Sequence, residues 1–296
     1  MANKLLVGFI GQGYIGKNYA DDFERRGYAV VRYALEEPYN GNKAKVAECD
    51  VVIIAVPTPT TSGQFDLSVV ESVLQLVGEG KIAVIKSTVL PGTTAELQNR
   101  HNTVTILYSP EFLSERTAAE DAAHPFSNII GMPEESERHR AAAELVHSVL
   151  PKAQYSLTCT STEAELIKYT HNGSGYIQIV FFNMMYDLAR SLGCDWNTIE
   201  EAIRNDPLVC NRYAKPVHAS GHPGAKQGRG AGGHCFIKDM AALSELYARR
   251  LSDDARGQSF LRAMECKNVD LLTKSGKDLD LLKGVYGENP EDICAS

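Results

Sequence analysis

The chain has 296 residues and a formal net charge of -7, and its 44% hydrophobic and 23% charged residues are ordinary for a globular protein. The acidic balance argues against a general binder of nucleic acid or anionic membranes, and no apolar run approaches the roughly 20 residues of a membrane span. The length predicts about two domains. The N-terminus runs directly into a strand pattern, and its glycines interrupt any apolar core of a signal peptide. We therefore expect a soluble, cytoplasmic protein.

The first half of the chain alternates between strand and helix patterns. Strands are predicted at 5–10, 28–34, 50–57, 81–89, 104–110 and 128–132. Helices are predicted at 17–27, 67–80, 93–100 and 135–150, with a short turn and helix before residue 50. Strands separated by helices predict a parallel sheet with crossover helices, so the fold class is α/β.

The pattern changes near residue 160, where helical patterns replace the alternation. Helices are predicted at 161–193, 195–206, 238–251 and 255–276, with a glycine-rich loop at about 219–234. These segments predict an all-helical domain over 159–275. Residues 276–296 are expected to form a C-terminal tail or a final short element.

Three glycines, Gly11, Gly13 and Gly16, form a GxGxxG pattern between the first strand and the first helix. In such a turn the first glycine allows a tight bend, the second lets a pyrophosphate approach, and the third lets helix and strand pack closely. The alternative is a merely structural turn, but its place after a strand favours dinucleotide binding. We therefore predict an N-terminal Rossmann-type, doubly wound parallel sheet over residues 1–158.

The acidic residue that usually binds the adenosine ribose is missing from its expected place at the end of the second strand. Ala34 occupies that position, and Glu36 and Glu37 follow slightly late. Arg32 lies nearby, and its side chain either binds the 2′-phosphate of NADP or is simply solvated. These residues leave both NAD and NADP open as the cofactor, and NAD is favoured.

Five further segments occur in a characteristic order: VPTPT at 56–60, STVLPGTT at 87–94, SPEFLSERTA at 109–118, AELIKYTHN at 164–172 and GAGGHCFIKD at 230–239. With the glycine turn, they make the chain resemble the UDP-glucose/GDP-mannose dehydrogenase family from residue 5 to about 250. Members of that family oxidise the primary alcohol of a nucleotide sugar to a carboxylate with two NAD. The resemblance implies the same activity here.

The resemblance also implies a role for individual residues. Cys235 matches the family nucleophile, and Lys168 and Asn172 match a pair on the helix that opens the middle domain. The remaining catalytic candidates match an acid, a threonine and an aspartate of the motifs: Glu111, Thr88 and Asp239. The expected NAD-binding residues are Gly11, Gly13, Tyr14, Ile15, Gly16, Val56, Pro57, Thr58, Thr88 and Glu115.

The chemistry of such an oxidation suits these residue types independently. A thiolate adds to the aldehyde made by the first hydride transfer, and the thioester left by the second is hydrolysed. Lys168 and Asn172 are four residues apart, so they share one helix face and are suited to stabilising one oxyanion. Candidates for activating water are the three remaining polar residues, Glu111, Thr88 and Asp239.

Each candidate also has a purely structural interpretation. Cys235 would be a buried apolar residue, one of seven cysteines without a CxxC pair. Lys168 would pair on the surface with Glu165 or Glu163, and Glu111 would cap or form a salt bridge. His218, His222 and His234 lie in the loop without metal-ligand spacing, so no metal is expected.

Three features depart from the family pattern. The C-terminal nucleotide-binding domain is expected to be absent, and the segment between the second and third strands is short. Asn183 is followed by Met184 where the family typically has Asn-Glu, and His234 stands where serine is common. Two alternatives follow: a two-electron hydroxyacid or 6-phosphogluconate-type dehydrogenase, which has no need of Cys235, and a catalytically degenerate NAD-binding relative.

The apolar helical stretch at 174–189 exceeds what one small domain readily covers. We therefore expect a homodimer, with a small-molecule nucleotide sugar as the other partner and neither nucleic acid nor membrane.

Overall fold

The computed structural model describes residues 5–61, 64–209 and 212–294, so that Cys210 lies outside the described residues. The chain folds into two compact units. Unit 1 comprises Met1–Thr58 and Asp66–Lys168, and unit 2 comprises Pro59–Phe65 and Tyr169–Ser296. The sequence-based domain boundary at 158/159 therefore lies ten residues before the point where unit 1 ends.

The strands follow the chain as β1 (Leu6–Ile10), β2 (Ala29–Tyr33), β3 (Val51–Ile54), β4 (Thr60–Thr61), β5 (Gln64–Phe65), β6 (Ile82–Ile85), β7 (Thr105–Tyr108), β8 (Ser127–Met132), β9 (Tyr155–Thr160), β10 (His218–Ala219) and β11 (Gln227–Gly228). Seven of them form the sheet of unit 1 in the order β2-β1-β3-β6-β7-β8-β9. All neighbours are parallel except β7 and β8, which are antiparallel. The predicted Rossmann-type sheet is confirmed, but it is mixed rather than wholly parallel.

The helices of unit 1 cover this sheet. They are α1 (Tyr14–Arg25), α2 (Ser68–Leu74), α3 (Thr93–Arg100), α4 (Ala118–Ala123) and α5 (Glu137–Val149), with a 3-10 helix at Asn40–Glu48. The residues of β3 are apolar and buried throughout, which is typical of a central parallel strand covered on both faces. Phe9, Phe23 and Ile53 belong to the core between sheet and helices.

The helices of unit 2 are α6 (Ser161–Ser191), which begins in unit 1, followed by α7 (Trp196–Arg204), α8 (Gly233–Arg250), α9 (Ala255–Ser275) and α10 (Leu279–Tyr286), with a 3-10 helix at Pro290–Cys294. Two small hairpins, β4 with β5 and β10 with β11, accompany them. The unit is therefore predominantly but not purely helical.

The C-terminal segment is an ordered part of unit 2. Helix α9 ends where Gly276 adopts a left-handed conformation (φ 68°), as glycine commonly does after a helix. Helix α10 then buries Leu282 and Val285 in a cluster with Ile237 and Leu272. Of the two sequence-based descriptions of this segment, a final short element fits better than a loose tail. Within the described ranges, no helix combines the length and the apolar character that crossing a membrane requires.

Candidate active site

The glycine turn after β1 has the geometry of a dinucleotide-binding loop. Gly11 is left-handed (φ 89°), and a Cβ there would lie 2.2 Å from the Ala55 carbonyl oxygen. A Cβ on Gly16 would lie 1.9 Å from the Gly11 carbonyl oxygen, so only glycine fits. Gly13 has open space around its Cβ position and starts α1 without a side-chain cap. These features fit a pyrophosphate at the helix N-terminus.

The first two residues of α1, Tyr14 and Ile15, are both partly buried, and Ile15 packs against the core of unit 1. Tyr14 is half-buried, and its carbonyl oxygen accepts a hydrogen bond from Asn18 Nδ2. Both remain predicted cofactor-binding residues.

Arg32 is not a free cation at the ribose position. Its guanidinium forms ion pairs with Asp21 and Glu24, at 2.7 Å each. Ala34 is buried and Leu35 is 82% exposed, so the end of β2 offers neither a free cation nor an acid at this position. This arrangement disfavours recognition of a 2′-phosphate and agrees with NAD as the cofactor.

The loops after β3 and β6 join several predicted cofactor residues. Ser87 Oγ donates to the Val56 carbonyl (2.7 Å) and accepts from the Val56 amide (2.9 Å). Thr58 Oγ1 donates to the Thr88 carbonyl at 2.8 Å. Pro57 is exposed between them. Ligands of open α/β sheets bind outside the carboxyl ends of the strands, where these loops lie; Ser87 is a residue that sequence reasoning missed.

Glu115, a predicted cofactor contact in unit 1, has a buried carboxylate oxygen without a hydrogen bond among the described residues. The side chain is half-buried, and the oxygen concerned is Oε2. Buried polar atoms normally have partners, so this oxygen suits a ligand donor. The side chain remains a predicted cofactor contact.

A buried ion pair links two predicted catalytic residues. Lys168 Nζ donates to Glu111 Oε1 at 2.9 Å and to the Glu111 carbonyl at 2.6 Å, and both side chains are under 5% exposed. The other carboxylate oxygen of Glu111 accepts from the Leu113 amide. The interpretation of Lys168 as a surface residue is therefore wrong.

The two glutamates considered as surface partners of Lys168 have other functions. Glu165 is buried and accepts from the Gly92 amide and from the amide and hydroxyl of Thr94. Burial raises its pKa, although these hydrogen bonds oppose the rise. Glu163 is exposed and accepts from the amide and hydroxyl of Thr160.

Lys86 is a second buried ammonium of unit 1, which sequence reasoning missed. Its Nζ donates to Ser109 Oγ at 3.1 Å and lies 4.5 Å from the centre of the Tyr19 ring. Burial lowers the pKa of Lys86 to about 8; Glu111 opposes that effect and Lys168 adds to it. The pKa of Tyr19 is raised, mainly by burial and next by Glu111.

In unit 2, Asn172 and Asp239 form a second buried polar pair. Asn172 Nδ2 donates to Asp239 Oδ2 at 2.7 Å. The other oxygen of Asp239 accepts from Lys238 Nζ at 2.6 Å. Asn172 lies one turn after Lys168 on α6, as the four-residue spacing predicted.

Cys235 lies in the first turn of α8, two residues after Gly233. It is partly exposed and not in a disulfide, which fits a reactive position better than a fully buried one. An anion at the N-terminus of a helix is stabilised by the unpaired amides and the dipole. Asp239 follows one turn later on the same helix.

The loop histidines bind protein groups. His218 Nε2 lies 3.0 Å from Lys277 Nζ, and His222 Nε2 lies 3.0 Å from Asp278 Oδ1. The rings of His222 and His234 contact each other with centroids 5.3 Å apart. Over 5–61, 64–209 and 212–294, no three His, Cys, Asp or Glu side chains form a group suited to a metal ion.

Comparison with known proteins identifies relatives of both units. Residues 37–150 match the NAD-binding domain of the UDP-glucose/GDP-mannose dehydrogenase family, and residues 162–268 match its central domain. The putative UDP-glucose 6-dehydrogenase YtcA of Bacillus subtilis is 33% identical over 214 residues, which are 68% of this chain and 47% of the relative. The chain thus spans about half the length of that curated relative.

Solved structures of nucleotide-sugar dehydrogenases are similar to this chain in fold. A UDP-glucose dehydrogenase from the hyperthermophilic archaeon Pyrobaculum islandicum matches with a TM-score of 0.74 and 26% identity over 91% of this chain and 69% of that one. The 3-hydroxyisobutyrate dehydrogenase of Mycobacterium tuberculosis has a TM-score of 0.69 over 96% of this chain and 99% of its own, at 17% identity. At that identity the likeness shows the fold alone.

Proposed function

Because the chain belongs to the UDP-glucose/GDP-mannose dehydrogenase family, we propose that it oxidises the primary alcohol of a nucleotide sugar, of the UDP-glucose or GDP-mannose type, to the uronic acid. The observation that carries the proposal is the position of Cys235, a partly exposed thiol in the first turn of a helix directly after a glycine-rich loop. A two-electron hydroxyacid dehydrogenase has no need of such a thiol.

The glycine turn, Val56, Thr58 and Glu115 would hold NAD, which accepts a hydride in each of the two oxidations when bound. One alcohol, two NAD⁺ and one water give one carboxylate, two NADH and three protons. The Cys235 thiolate adds to the aldehyde carbon and forms a hemithioacetal. Loss of the second hydride leaves a thioester, and water then breaks its C–S bond and returns the thiol.

Lys168 and Asn172 are the proposed donors to the oxygen that carries negative charge during thiol addition and thioester hydrolysis. Each already donates to a carboxylate, Lys168 to Glu111 and Asn172 to Asp239. These contacts hold the two side chains in defined rotamers, which reduces the entropy lost when they bind an oxyanion. Glu111, Thr88 and Asp239 remain the candidates for activating the hydrolytic water.

The decisive experiment counts NADH per molecule of UDP-glucose or GDP-mannose consumed, with the carboxylate identified by mass spectrometry. We expect two NADH. The variant C235S is expected to lose carboxylate formation by about 10³-fold or more, since removal of a catalytic nucleophile has effects of this size. C194S, which changes an exposed thiol of unit 2, is the matched control.

Two outcomes would reject this proposal. One NADH per substrate would favour a two-electron dehydrogenase. NAD binding by calorimetry without turnover of any nucleotide sugar would favour a degenerate relative.

We also propose that the chain forms a homodimer through the exposed apolar face of α6 and α7. Phe181 and Leu188 are each 50% exposed and Leu192 is 70% exposed. They line an apolar groove of about 800 Å³ that continues to Trp196 and Leu208. Exposed apolar patches of this kind mark interfaces, and a helix face pairs readily with its own copy about a two-fold axis.

Light scattering with size exclusion tests the dimer. A molar mass of twice 32.4 kDa is expected, and F181E together with L188E is expected to give the monomer mass. A wild-type mass of 32.4 kDa at micromolar concentration would refute the dimer.

We propose a reducing, cytoplasmic location, because the cysteines in the described part of the chain carry free thiols. Fractionation of the native host followed by immunodetection tests this location.

A further inference from the structure

The glycine-rich segment that precedes Cys235 is held by side chains from the end of α9 and the residues after it. The segment comprises Gly228–Gly233, and we call it the glycine loop. The match to the family's central domain ends at residue 268. Most of the side chains that hold the glycine loop lie at 275–278, beyond that match.

Asp278, three residues after the end of α9, makes the contact nearest to the cysteine. Its Oδ2 accepts from the Gly233 amide at 2.7 Å and from Ser220 Oγ at 2.5 Å, and its Oδ1 faces His222 Nε2 at 3.0 Å. The side chain is only 2% exposed. Burial favours the neutral acid, but hydrogen bonds from Ser220, His222 and Gly233 outweigh it and keep the pKa of Asp278 below its usual range.

The backbone of Asp278 is itself unusual. It is left-handed (φ 51°), the one described non-glycine residue with a positive φ. Such a conformation is unfavourable for a non-glycine residue and persists when the surrounding structure holds it in place. Here the three partners of the carboxylate hold Asp278 in this conformation.

Lys277 holds the middle of the glycine loop. Its fully buried Nζ donates to the Gly230 carbonyl at 2.9 Å and to His218 Nε2 at 3.0 Å. Burial lowers the pKa of Lys277 to about 8 and that of His218 to about 4, the latter with a contribution from Lys277. His218 is therefore neutral near pH 7 and accepts this hydrogen bond, while its Nδ1 donates to the Lys215 carbonyl.

Two further residues of the glycine loop, Arg229 and Ala231, also have paired backbone groups. Ser275 Oγ accepts from the Arg229 amide at 2.9 Å. Asn268 accepts from the Ala231 amide at 2.6 Å and donates to the Ala231 carbonyl at 3.0 Å. At the other side, the Arg229 side chain donates to Asn183 and forms an ion pair with Asp187. This pairing gives Asn183, which precedes Met184, a structural function.

Direct packing accompanies these hydrogen bonds. A Cβ on Gly232 would lie 2.1 Å from Asp278 Oδ2, and a Cβ on Gly228 would lie 2.6 Å from Lys277 Cβ. The glycines therefore let the loop backbone lie against these two side chains. Residues without a side chain let the backbone approach its neighbours closely, and for Gly228 and Gly232 those neighbours include the C-terminal segment.

We propose that Ser275, Lys277 and Asp278 form a brace that positions the glycine loop and the first turn of α8, with Asp278 as the positioning residue for Cys235. The brace rests on the proposed function, since it matters to catalysis only if Cys235 is the nucleophile. Asp278 is expected to act by fixing the Gly233 amide, two residues before the thiol. A misplacement of about 1 Å at a reacting group lowers turnover by about 10²-fold.

The test compares D278A, D278N and the matched control D280N, which changes an exposed acid two residues further on, in the first turn of α10. D278A is expected to lower kcat for UDP-glucose oxidation by about 10²-fold, with the affinity for NAD unchanged by calorimetry. D278N is expected to restore most of the loss, because its amide oxygen still accepts from Gly233 and Ser220. D280N should match the wild type.

Two further readouts do not depend on turnover. Hydrogen exchange followed by mass spectrometry should show faster exchange of the Gly233 amide in D278A but not in D280N. The rate at which iodoacetamide alkylates Cys235, read on its own peptide, should change at least 5-fold in D278A and stay unchanged in D280N. If C235S kept full activity, the proposed function would fail, while these two readouts would still decide whether the brace exists.

A folded D278A with wild-type exchange at Gly233 and wild-type alkylation of Cys235 would overturn the brace. If D278A does not fold, as judged by a thermal melt, S220A replaces it, since it removes one partner of Asp278 Oδ2 and leaves the carboxylate in place. S220A should then speed exchange of Gly233 in the same direction. An unchanged exchange rate in S220A would count against the proposal equally.

Discussion

The two units hold their catalytic candidates in different ways. Unit 1 buries charge: Lys168 and Glu111 form a buried ion pair, and Lys86 is a further buried cation of the same unit. Unit 2 fixes a backbone segment: side chains at 268–278 accept hydrogen bonds from amides of the glycine loop, and Lys277 donates to one of its carbonyls. A buried ion pair is costly to break but contributes little net stability, whereas paired loop amides contribute positional precision. We therefore expect stability effects to concentrate in unit 1 and catalytic positioning effects in unit 2.

The largest stability effect is expected from K168M in unit 1. It leaves the Glu111 carboxylate buried without its cation, which costs about 3–5 kcal/mol. Urea unfolding at pH 7 measures the loss, and the exposed K152M is its control. A loss below 1 kcal/mol would mean that Glu111 is readily solvated and that the contrast between the units is wrong.

The second prediction concerns the pH dependence of unfolding and Lys86. Its folded pKa of about 8 lies below the ordinary lysine value of about 10.4. Between those values the unfolded chain binds more protons than the folded one, so the free energy of unfolding rises with pH, by about 3 kcal/mol from this residue. Below pH 8 its contribution is constant and unfavourable.

K86M should remove that rise and leave the protein at least as stable as the wild type at pH 7. Urea unfolding at pH 7.5, 8.5 and 9.5 measures it, with the exposed K43M as control. Equal slopes for wild type and K86M would show that Lys86 stays charged or becomes hydrated.

In unit 2, N172A removes a buried hydrogen bond to the Asp239 carboxylate. We expect a loss of about 2 kcal/mol, since hydrogen bonds to charged groups contribute about 1.5–3 kcal/mol. The control is N197A, whose Nδ2 makes a similar but exposed bond to Asp195 at 3.1 Å. Equal effects of the two variants would indicate that burial does not strengthen the Asn172 contact.

The smallest effect is expected from K17M, which breaks the exposed pair of Lys17 with Asp21 in α1. Exposed pairs four residues apart on a helix contribute about 0.3–0.5 kcal/mol. The same urea titration at 0.05 M and 0.5 M salt checks it, and the difference from wild type should shrink at high salt. A loss comparable to that of K168M would remove the distinction between buried and exposed pairs.

How far sequence reasoning reached differs between parts of the fold. The buried strands such as β3 were predictable because their apolar runs are uninterrupted. Strand β9 was missed because its residues are mostly exposed or half-buried and carry no apolar run. The antiparallel junction of β7 with β8 was also missed, since strand direction depends on the path of the connection and not on the residues of the strand.

The candidate site shows the same limit. Lys168, Glu111, Asn172 and Asp239 were identified as candidates through motif resemblance, but their partners were not. Lys168 was considered as a partner of Glu163 or Glu165, whereas it pairs with Glu111, 57 positions away. Lys86 carried no signal, because a lysine at the end of a strand usually reaches solvent.

By itself, the sequence determined what depends on neighbouring residues: the glycines that permit the turn after β1, the strand and helix periodicities, and the four-residue spacing of Lys168 and Asn172. Only the tertiary structure decided which charges are buried and which side chains hold the glycine loop. Asn172 and Asp239 are 67 positions apart, and Gly233 and Asp278 are 45 apart. Pairing over such separations depends on how whole elements pack, because burial sets the strength of each contact and no local pattern encodes it.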